Sequence, residues 1–159
     1  EGILDFYIHE LSKYALFKMF TGEWPHSEKF ASLQIPLPEV ERAIESVESK
    51  EWFFEYLNKR FSRDVFLSSE SMNTQLNLIG IGFNNVMCIA YPRSTEKQSR
   101  DYGRKVIQDL YDRRNTIAHQ VDRKHESAER NDIDRGFVEQ CISDVELIVS
   151  TIQNIAENK

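Results

Sequence analysis

The strongest constraint on the fold is a seam of apolar residues that recurs every three or four positions near the end of the chain. Its members lie between residues 134 and 157: Val138, Cys141, Val145, Ile148, Ile152 and Ile155. This heptad-like spacing puts them on one face of an α-helix, and such a face must be buried against a partner helix. The sequence therefore predicts a helical bundle.

Four further segments have helical periodicity, at residues 3–20, 39–61, 73–90 and 99–119. Only 6 Gly and 4 Pro interrupt the 159 residues, which favours long helices. Pro38 is suited to open the second helix, and Asp132 or Asp134 to cap the last. We expect an all-α fold of about five helices, with residues 1–49 packed on a bundle formed by residues 50–159 in one compact domain.

Composition narrows the possible functions. The net charge of −6 is typical of a poor general nucleic-acid binder. The stretch Arg93–Arg135, however, holds eleven Lys and Arg against nine Asp and Glu, a net of +2, so the rest of the chain carries −8. Any nucleic-acid contact is expected within this stretch.

Our expectations about cellular location and cofactors depend on segments and motifs that the sequence lacks. The longest apolar run, Leu76–Ala90, is too short to span a bilayer, and the charged first twenty residues do not resemble a signal peptide. Cys88 and Cys141 form no CxxC pair and are expected to be buried free thiols in a reducing compartment. His9 and His26 lack metal-ligand spacing. We expect a cytoplasmic protein with no membrane contact, metal or cofactor.

Arg114 is the anomaly of the fourth helix. Its neighbours on the same helical stripe are Ile107, Leu110 and Ile117, so a full positive charge lies on the face expected to be buried. Buried cations are costly unless they are paired. Either a carboxylate from another segment neutralises Arg114, or the stripe opens onto an anion site or a second subunit.

His119 follows at the predicted end of this helix, about 140° around the axis from Arg114. The two side chains share a site only if the helix distorts near its end, or if the site lies in a cleft between two chains. Asn115 is four residues before His119 and so shares its face, where it is placed to orient the imidazole. A histidine near a helix C-terminus also interacts favourably with the helix dipole, which is the simpler explanation.

The string Asp112-Arg-Arg-Asn-Thr-Ile-Ala-His-Gln120 resembles the Arg-Asn-x-x-x-His motif of the HEPN superfamily. Its setting is also similar, with an amphipathic helix before, a short polar loop after and a long final helix. Within this superfamily the segment is similar to the RiboL-PSP-HEPN group. The resemblance covers roughly residues 50–157. It implies a metal-independent endoribonuclease that acts as a toxin or antiviral defence effector.

The resemblance also implies roles for particular residues. Arg114 would bind the scissile phosphate, His119 would act as general base or acid, and Asn115 would support the site. Because one chain supplies a single histidine, a homodimer with a composite site is expected. Four further residues are candidates for substrate contact, although a solvated surface is the simpler explanation for each: Arg113, Arg123, Lys124 and His125.

The expected partners are RNA, with tRNA as a structured candidate, and an antitoxin or a sensor or ATPase partner. HEPN toxins that are controlled by nucleotidyltransferase antitoxins often carry Tyr two residues after the histidine, whereas Val121 stands there. That regulatory scheme is therefore disfavoured. The alternative function is a catalytically inactive HEPN-like module of a larger defence protein, serving dimerisation, sensing or RNA binding.

Overall fold

The described part of the chain is entirely helical. The computed structural model describes residues 2–120 and 134–159, and of residues 118–120 the backbone alone. Seven α-helices and one 3₁₀ turn at Phe30–Ser32 occupy these residues, with no strand among them. The helices are α1 (Gly2–Thr21), α2 (Leu37–Glu45), α3 (Glu51–Phe61), α4 (Ser69–Leu78), α5 (Phe83–Ala90), α6 (Glu96–Gln120) and α7 (Arg135–Glu157). The prediction of an all-α fold is confirmed, but the helix count is higher because two predicted helices are each split.

The ends of α1 and α7 follow the signals in the sequence. Gly22 has φ 79°, its N–H donates to Met19 O, and the N–H of Glu23 donates to Lys18 O. This pair of bonds is the Schellman arrangement that ends a helix at a left-handed glycine. At the start of α7, the Asp134 carboxylate accepts from the N–H of Phe137, so Asp134 is the predicted cap.

The prediction of one helix over residues 73–90 is wrong, because Gly80 ends α4. Gly80 has φ 72°, its N–H donates to Asn77 O, and the N–H of Ile81 donates to Leu76 O at 2.8 Å. This is a second Schellman arrangement. Ile79 and Ile81 on either side are fully buried, so the turn is part of the core.

The prediction of one helix over residues 39–61 is also wrong. The chain leaves the helix at Ser46, where φ is −119° and ψ is 51°, and re-enters it at Glu51. Ser49 offers its hydroxyl to the N–H of Glu51 at 3.2 Å, a local bond that competes with continued helix. The apolar repeat keeps its register across this break, with Phe54 seven residues after Val47, so periodicity alone did not reveal it.

The core forms where α5 meets α6 and α7, and where α1 meets α3, α4 and α7. Buried α1 side chains, including Leu4, Ile8 and Leu16, belong to the same cluster as Ile107 of α6 and Ile148 of α7. The first helix is therefore an integral wall of the core. The motif helix α6 is held mainly through α5.

Gly103 sets the distance between α5 and α6. A Cβ atom added there would lie 2.5–2.9 Å from the Sδ, Cβ and Cγ atoms of Met87. Contacts this short do not occur in folded proteins, so only glycine permits the two helices to approach this closely. The close approach fixes the position of α6 relative to the core.

Candidate functional site

The apolar stripe of α6 leaves the core before it reaches the motif. Ile107 and Leu110 are buried, whereas Ile117 is 47% exposed. Arg114 lies between them in sequence and is partly buried. The cation thus stands where the stripe emerges from the protein, which removes the cost of burying an unpaired charge.

No carboxylate neutralises Arg114 within the part of the chain that the structure describes. Its Nη1 donates to the side-chain Oδ1 of the adjacent Asn115 at 3.0 Å. The nearby Asp112 accepts from Gln108 instead, at 2.8 Å. Of the two alternatives for Arg114, neutralisation by an internal carboxylate is therefore not observed over residues 2–120 and 134–159. Within these ranges the side-chain partner of the guanidinium is the neutral amide of Asn115.

The bond to Arg114 modifies the role expected of Asn115. Its amide oxygen accepts from the guanidinium, so only the amide NH₂ group is left for the expected contact with the helical position four residues on. That position is His119, whose backbone belongs to α6 and whose side chain lies outside the described atoms. Asn115 is thus observed to orient the arginine, and its predicted contact with the histidine stays a prediction.

Helix α6 continues without interruption to Gln120. Positions 114 and 119 therefore remain about 140° apart around the helix axis, as 3.6 residues per turn requires. Convergence of the two side chains through a distorted helix end is not observed. The alternative, a site in a cleft between two chains, stays a prediction.

An apolar groove of about 470 Å³ lies beside the motif, and we call it the motif groove. It is lined by residues of α1, α6 and α7: Ile3, Leu110, Arg113, Ile117, Phe137, Val138, Cys141, Ile142, Val145 and Glu146. Helices α6 and α7 both pack on α5. The groove lies between the C-terminal half of α6 and the N-terminal half of α7. Five of its apolar side chains are exposed to solvent, so it is an uncovered apolar surface of the described chain.

Arg113 lies in this groove rather than on an outer surface. Its guanidinium carbon is 5.7 Å from the ring centroid of Phe137, within the range of a cation–π contact. The prediction of Arg113 as a substrate contact remains a prediction. The structure places the residue at the border between the groove and Arg114.

The other predicted substrate contacts lie outside the described residues. These are Arg123, Lys124 and His125, together with Val121 and the alternative cap Asp132. The groove itself was not predicted from the sequence. Its signal was present in the apolar residues Phe137, Val138 and Ile142, which precede the part of the α7 seam that reaches the core.

Two tyrosines with raised pKa values fasten α7 to the rest of the protein. Burial, with a smaller effect of the negative charge on Glu157, raises the pKa of Tyr7 to about 12. Burial, followed by the hydrogen bond to Asp144, also raises the pKa of Tyr91. The Tyr7 hydroxyl donates to Gln153 at 2.9 Å and that of Tyr91 to Asp144 at 3.0 Å. Both stay protonated at neutral pH and serve as donors between helices.

Metal and thiol chemistry gain no support from the described residues. They contain no group of three or more His, Cys, Asp and Glu side chains arranged to hold a metal ion. Cys88 and Cys141 are not joined in a disulfide, but both are only partly buried, so the prediction that they are buried is wrong. None of the described helices is both long and apolar enough to cross a membrane.

Comparison with known proteins gives no further identification. No protein-family model, curated protein or solved structure matches this chain. The resemblance of Arg114-Asn115 and His119 to the HEPN motif therefore depends on the sequence alone.

Proposed function

We propose that this chain is a metal-independent endoribonuclease of HEPN type, with Arg114 and His119 as its catalytic residues. The observation that supports it is the state of Arg114, a partly exposed cation beside an open groove with no carboxylate partner among the described residues. Guanidinium groups in this situation are well suited to a bidentate grip on phosphate. The bond from Arg114 to Asn115 orients the group in advance.

The proposed reaction is an in-line attack of the 2′-hydroxyl on the adjacent phosphorus. A proton acceptor removes the hydroxyl proton while the 2′-oxygen forms a bond to phosphorus, the bond to the 5′-oxygen breaks, and a proton donor protonates the leaving oxygen. The products are a 2′,3′-cyclic phosphate and a 5′-hydroxyl. Arg114 stabilises the charge that develops on the phosphate oxygens, and His119 supplies the proton carrier.

The reaction needs two proton carriers, and the motif provides one histidine per chain. The 140° separation of positions 114 and 119 on an uninterrupted helix also directs the two residues to different neighbours. Both arguments favour a homodimer in which two motif helices share one cleft. The motif groove, with Ile117 at its edge, offers the apolar interface.

We further propose that the substrate is a structured RNA, for which tRNA is a candidate, and that the enzyme is a cytoplasmic toxin or antiviral effector. The chain carries a net charge of −6, which disfavours indiscriminate binding to a polyanion. Affinity then depends on local contacts around Arg113 and Arg114. Control by an antitoxin, or by a sensor or ATPase partner, would fit such an effector.

Cleavage of total RNA and tRNA in EDTA tests the proposal. We expect the wild type to leave 2′,3′-cyclic ends, and Arg114→Ala or His119→Ala to reduce the rate by roughly 10²–10⁴-fold. Arg104→Ala is the matched control. Arg104 is an exposed cation of α6 that lies ten residues before Arg114 and donates a hydrogen bond to Asn84. Equal cleavage by all four proteins would contradict the proposal. A folded dimer that cleaves none of these RNAs would favour the inactive module.

Mixing chains tests the composite site. A ninefold excess of His119→Ala would draw most wild-type chains into mixed dimers and reduce their activity to about a tenth. The doubly substituted chain His119→Ala/Ile117→Glu, which cannot pair through the motif groove, would leave activity unchanged. Full activity in both mixtures would show that one chain is sufficient.

A further inference from the structure

Helix α2 has its apolar face on the outside. Leu37 and Ile44 are each 69% exposed, Val40 is also exposed, and Val47 just after the helix is 80% exposed. We call these four residues the α2 stripe. At 100° per residue, the three helical members fall within about 60° of one another around the axis. An amphipathic helix normally turns such a face toward the core.

The inner side of α2 is polar. Of the nine residues of the helix, all of which the structure describes, only Glu39 is buried. Its carboxylate is bound by Arg42 at 3.0 Å and by Lys59 of α3 at 3.3 Å, and Arg42 also pairs with Glu55 of α3. The helix is thus attached to the fold by ion pairs, and its apolar face remains free for another molecule.

The charges around the α2 stripe indicate what that molecule is. Glu41, Glu45 and Glu48 are exposed and form no ion pair within the described ranges 2–120 and 134–159, and we call them the acid rim. Glu41 and Glu45 fall next to the stripe, about 40° and 80° from Leu37 around the axis. An apolar strip bordered by carboxylates is complementary to an amphipathic helix with apolar residues on one face and lysine or arginine beside them.

The acid rim also argues against other occupants. A second copy of the chain laid on α2 would bring carboxylates against carboxylates, and like charges across an interface are unfavourable. An anionic membrane and a nucleic acid would meet the same repulsion. We propose that α2 is a docking site for a basic amphipathic helix of a partner protein, separate from the motif groove and independent of the proposed nuclease activity.

Two synthetic peptides of about 20 residues, long enough to form a helix, test the proposal. Both carry leucine at the a and d heptad positions, and one has lysine where the other has glutamate at e and g. We expect the lysine peptide to bind the wild-type protein at least about tenfold more tightly in calorimetry. The variant Glu41→Lys/Glu45→Lys reverses the charge of the rim at two positions, and we expect it to bind the glutamate peptide more tightly than the lysine peptide.

A charge-matched pair of variants separates docking from general attraction. Ile44→Glu adds a negative charge within the stripe and should weaken binding of the lysine peptide by at least about tenfold, because the apolar contact is lost. Ile89→Glu adds the same charge at a position on α5 that is 54% exposed, and should leave binding unchanged. Circular dichroism would confirm that both variants are folded.

Four results would overturn the proposal. The first is equal binding of the two peptides, and the second is equal weakening by Ile44→Glu and Ile89→Glu. The third is a dimer in light scattering that Ile44→Glu abolishes, since a second copy would then occupy α2. Binding to anionic vesicles in preference to the lysine peptide would likewise assign the stripe to a membrane.

Discussion

Two apolar surfaces that the described residues leave uncovered differ in their charged surroundings. The motif groove lies beside Arg113 and Arg114, whereas the α2 stripe is bordered by three glutamates. Apolar area alone would make the two equivalent as docking sites. The different charges around them are the basis on which we propose different partners, an anionic substrate and a second chain at the motif groove and a basic helix at α2.

The two surfaces also differ in how they are attached. The walls of the motif groove extend from helices whose inner portions are embedded in the hydrophobic core. Helix α2 is attached to α3 through the buried Glu39 and its cations. Contacts between buried apolar side chains are little affected by salt or low pH. Ion pairs, in contrast, weaken as the salt concentration rises and as the carboxylates become protonated. The comparison therefore predicts different responses to the same perturbations.

The largest expected difference concerns a carboxylate placed on each surface. Ile117→Glu puts a charge at the edge of the motif groove and should reduce both dimerisation and RNA cleavage by at least about tenfold. Ile44→Glu puts the same charge on α2 and should change neither. Light scattering and initial cleavage rates measure the two effects. The distinction between the surfaces would fail if Ile117→Glu cleaved RNA at the wild-type rate.

A second prediction concerns the support of the motif groove. Gly103→Ala adds a methyl group against Met87, and relief of this clash must move α6 away from α5. We expect the free energy of unfolding to fall by about 1–3 kcal/mol in urea titration. Gly2→Ala is the control, since a Cβ there meets nothing within 4 Å. Lysine-peptide binding at α2 should survive in both variants, and an unchanged stability of Gly103→Ala would refute the close packing.

The smallest effect is expected from the attachment of α2. Burial by itself raises the pKa of Glu39, but hydrogen bonds from Arg42 and Lys59, with their charges, outweigh it and hold the pKa below its ordinary value. A lowered pKa stabilises the folded state above the ordinary carboxyl pKa of about 4.3, and this contribution is lost as the pH falls below it. Between pH 5 and 3, α2 should lose hydrogen-exchange protection before α6.

A variant checks the same attachment at neutral pH. Glu39→Gln removes the charge that binds both cations and should raise amide exchange in α2, while Glu41→Gln on the exposed side should not. Mass spectrometry of peptic fragments would resolve the two regions. Equal exchange in the two variants would show that α2 is held by something other than these ion pairs.

The sequence correctly predicted those helices in which the local signals for the helix ends agree with the burial of the apolar stripe. In α1, and in α7 from Val145 onward, the apolar stripe faces the core, a glycine or aspartate marks an end, and the predicted bounds are close to those observed. The earlier part of the α7 seam, at Val138 and Cys141, lines the motif groove instead. In α2 an apolar stripe is present but faces outward, and periodicity does not distinguish such a stripe from one that faces the core. Periodicity also does not specify the left-handed conformation of Gly80, which ends α4.

The candidate site was predicted in part for the same reason. Arg114 was conspicuous because it interrupts an apolar stripe, and the structure explains this by bringing the stripe out of the core after Leu110. The bond from Arg114 to Asn115 depends on side-chain conformation, which spacing does not specify. The groove depends on how α6 and α7 diverge from α5, which is a property of packing that no single segment encodes.

The emergence of α6 from the core has a consequence for the response of the protein to heating. Leu110 is the last of the described α6 side chains that is buried, and none from Tyr111 to Ile117 is buried. At 1.5 Å per residue, roughly 15 Å of helix follows Leu110, and we expect this part of the helix to open before the core does. Heating should therefore abolish the proposed RNA cleavage at a lower temperature than it unfolds the bundle, and the proposed second chain packed against Ile117 should reduce that difference.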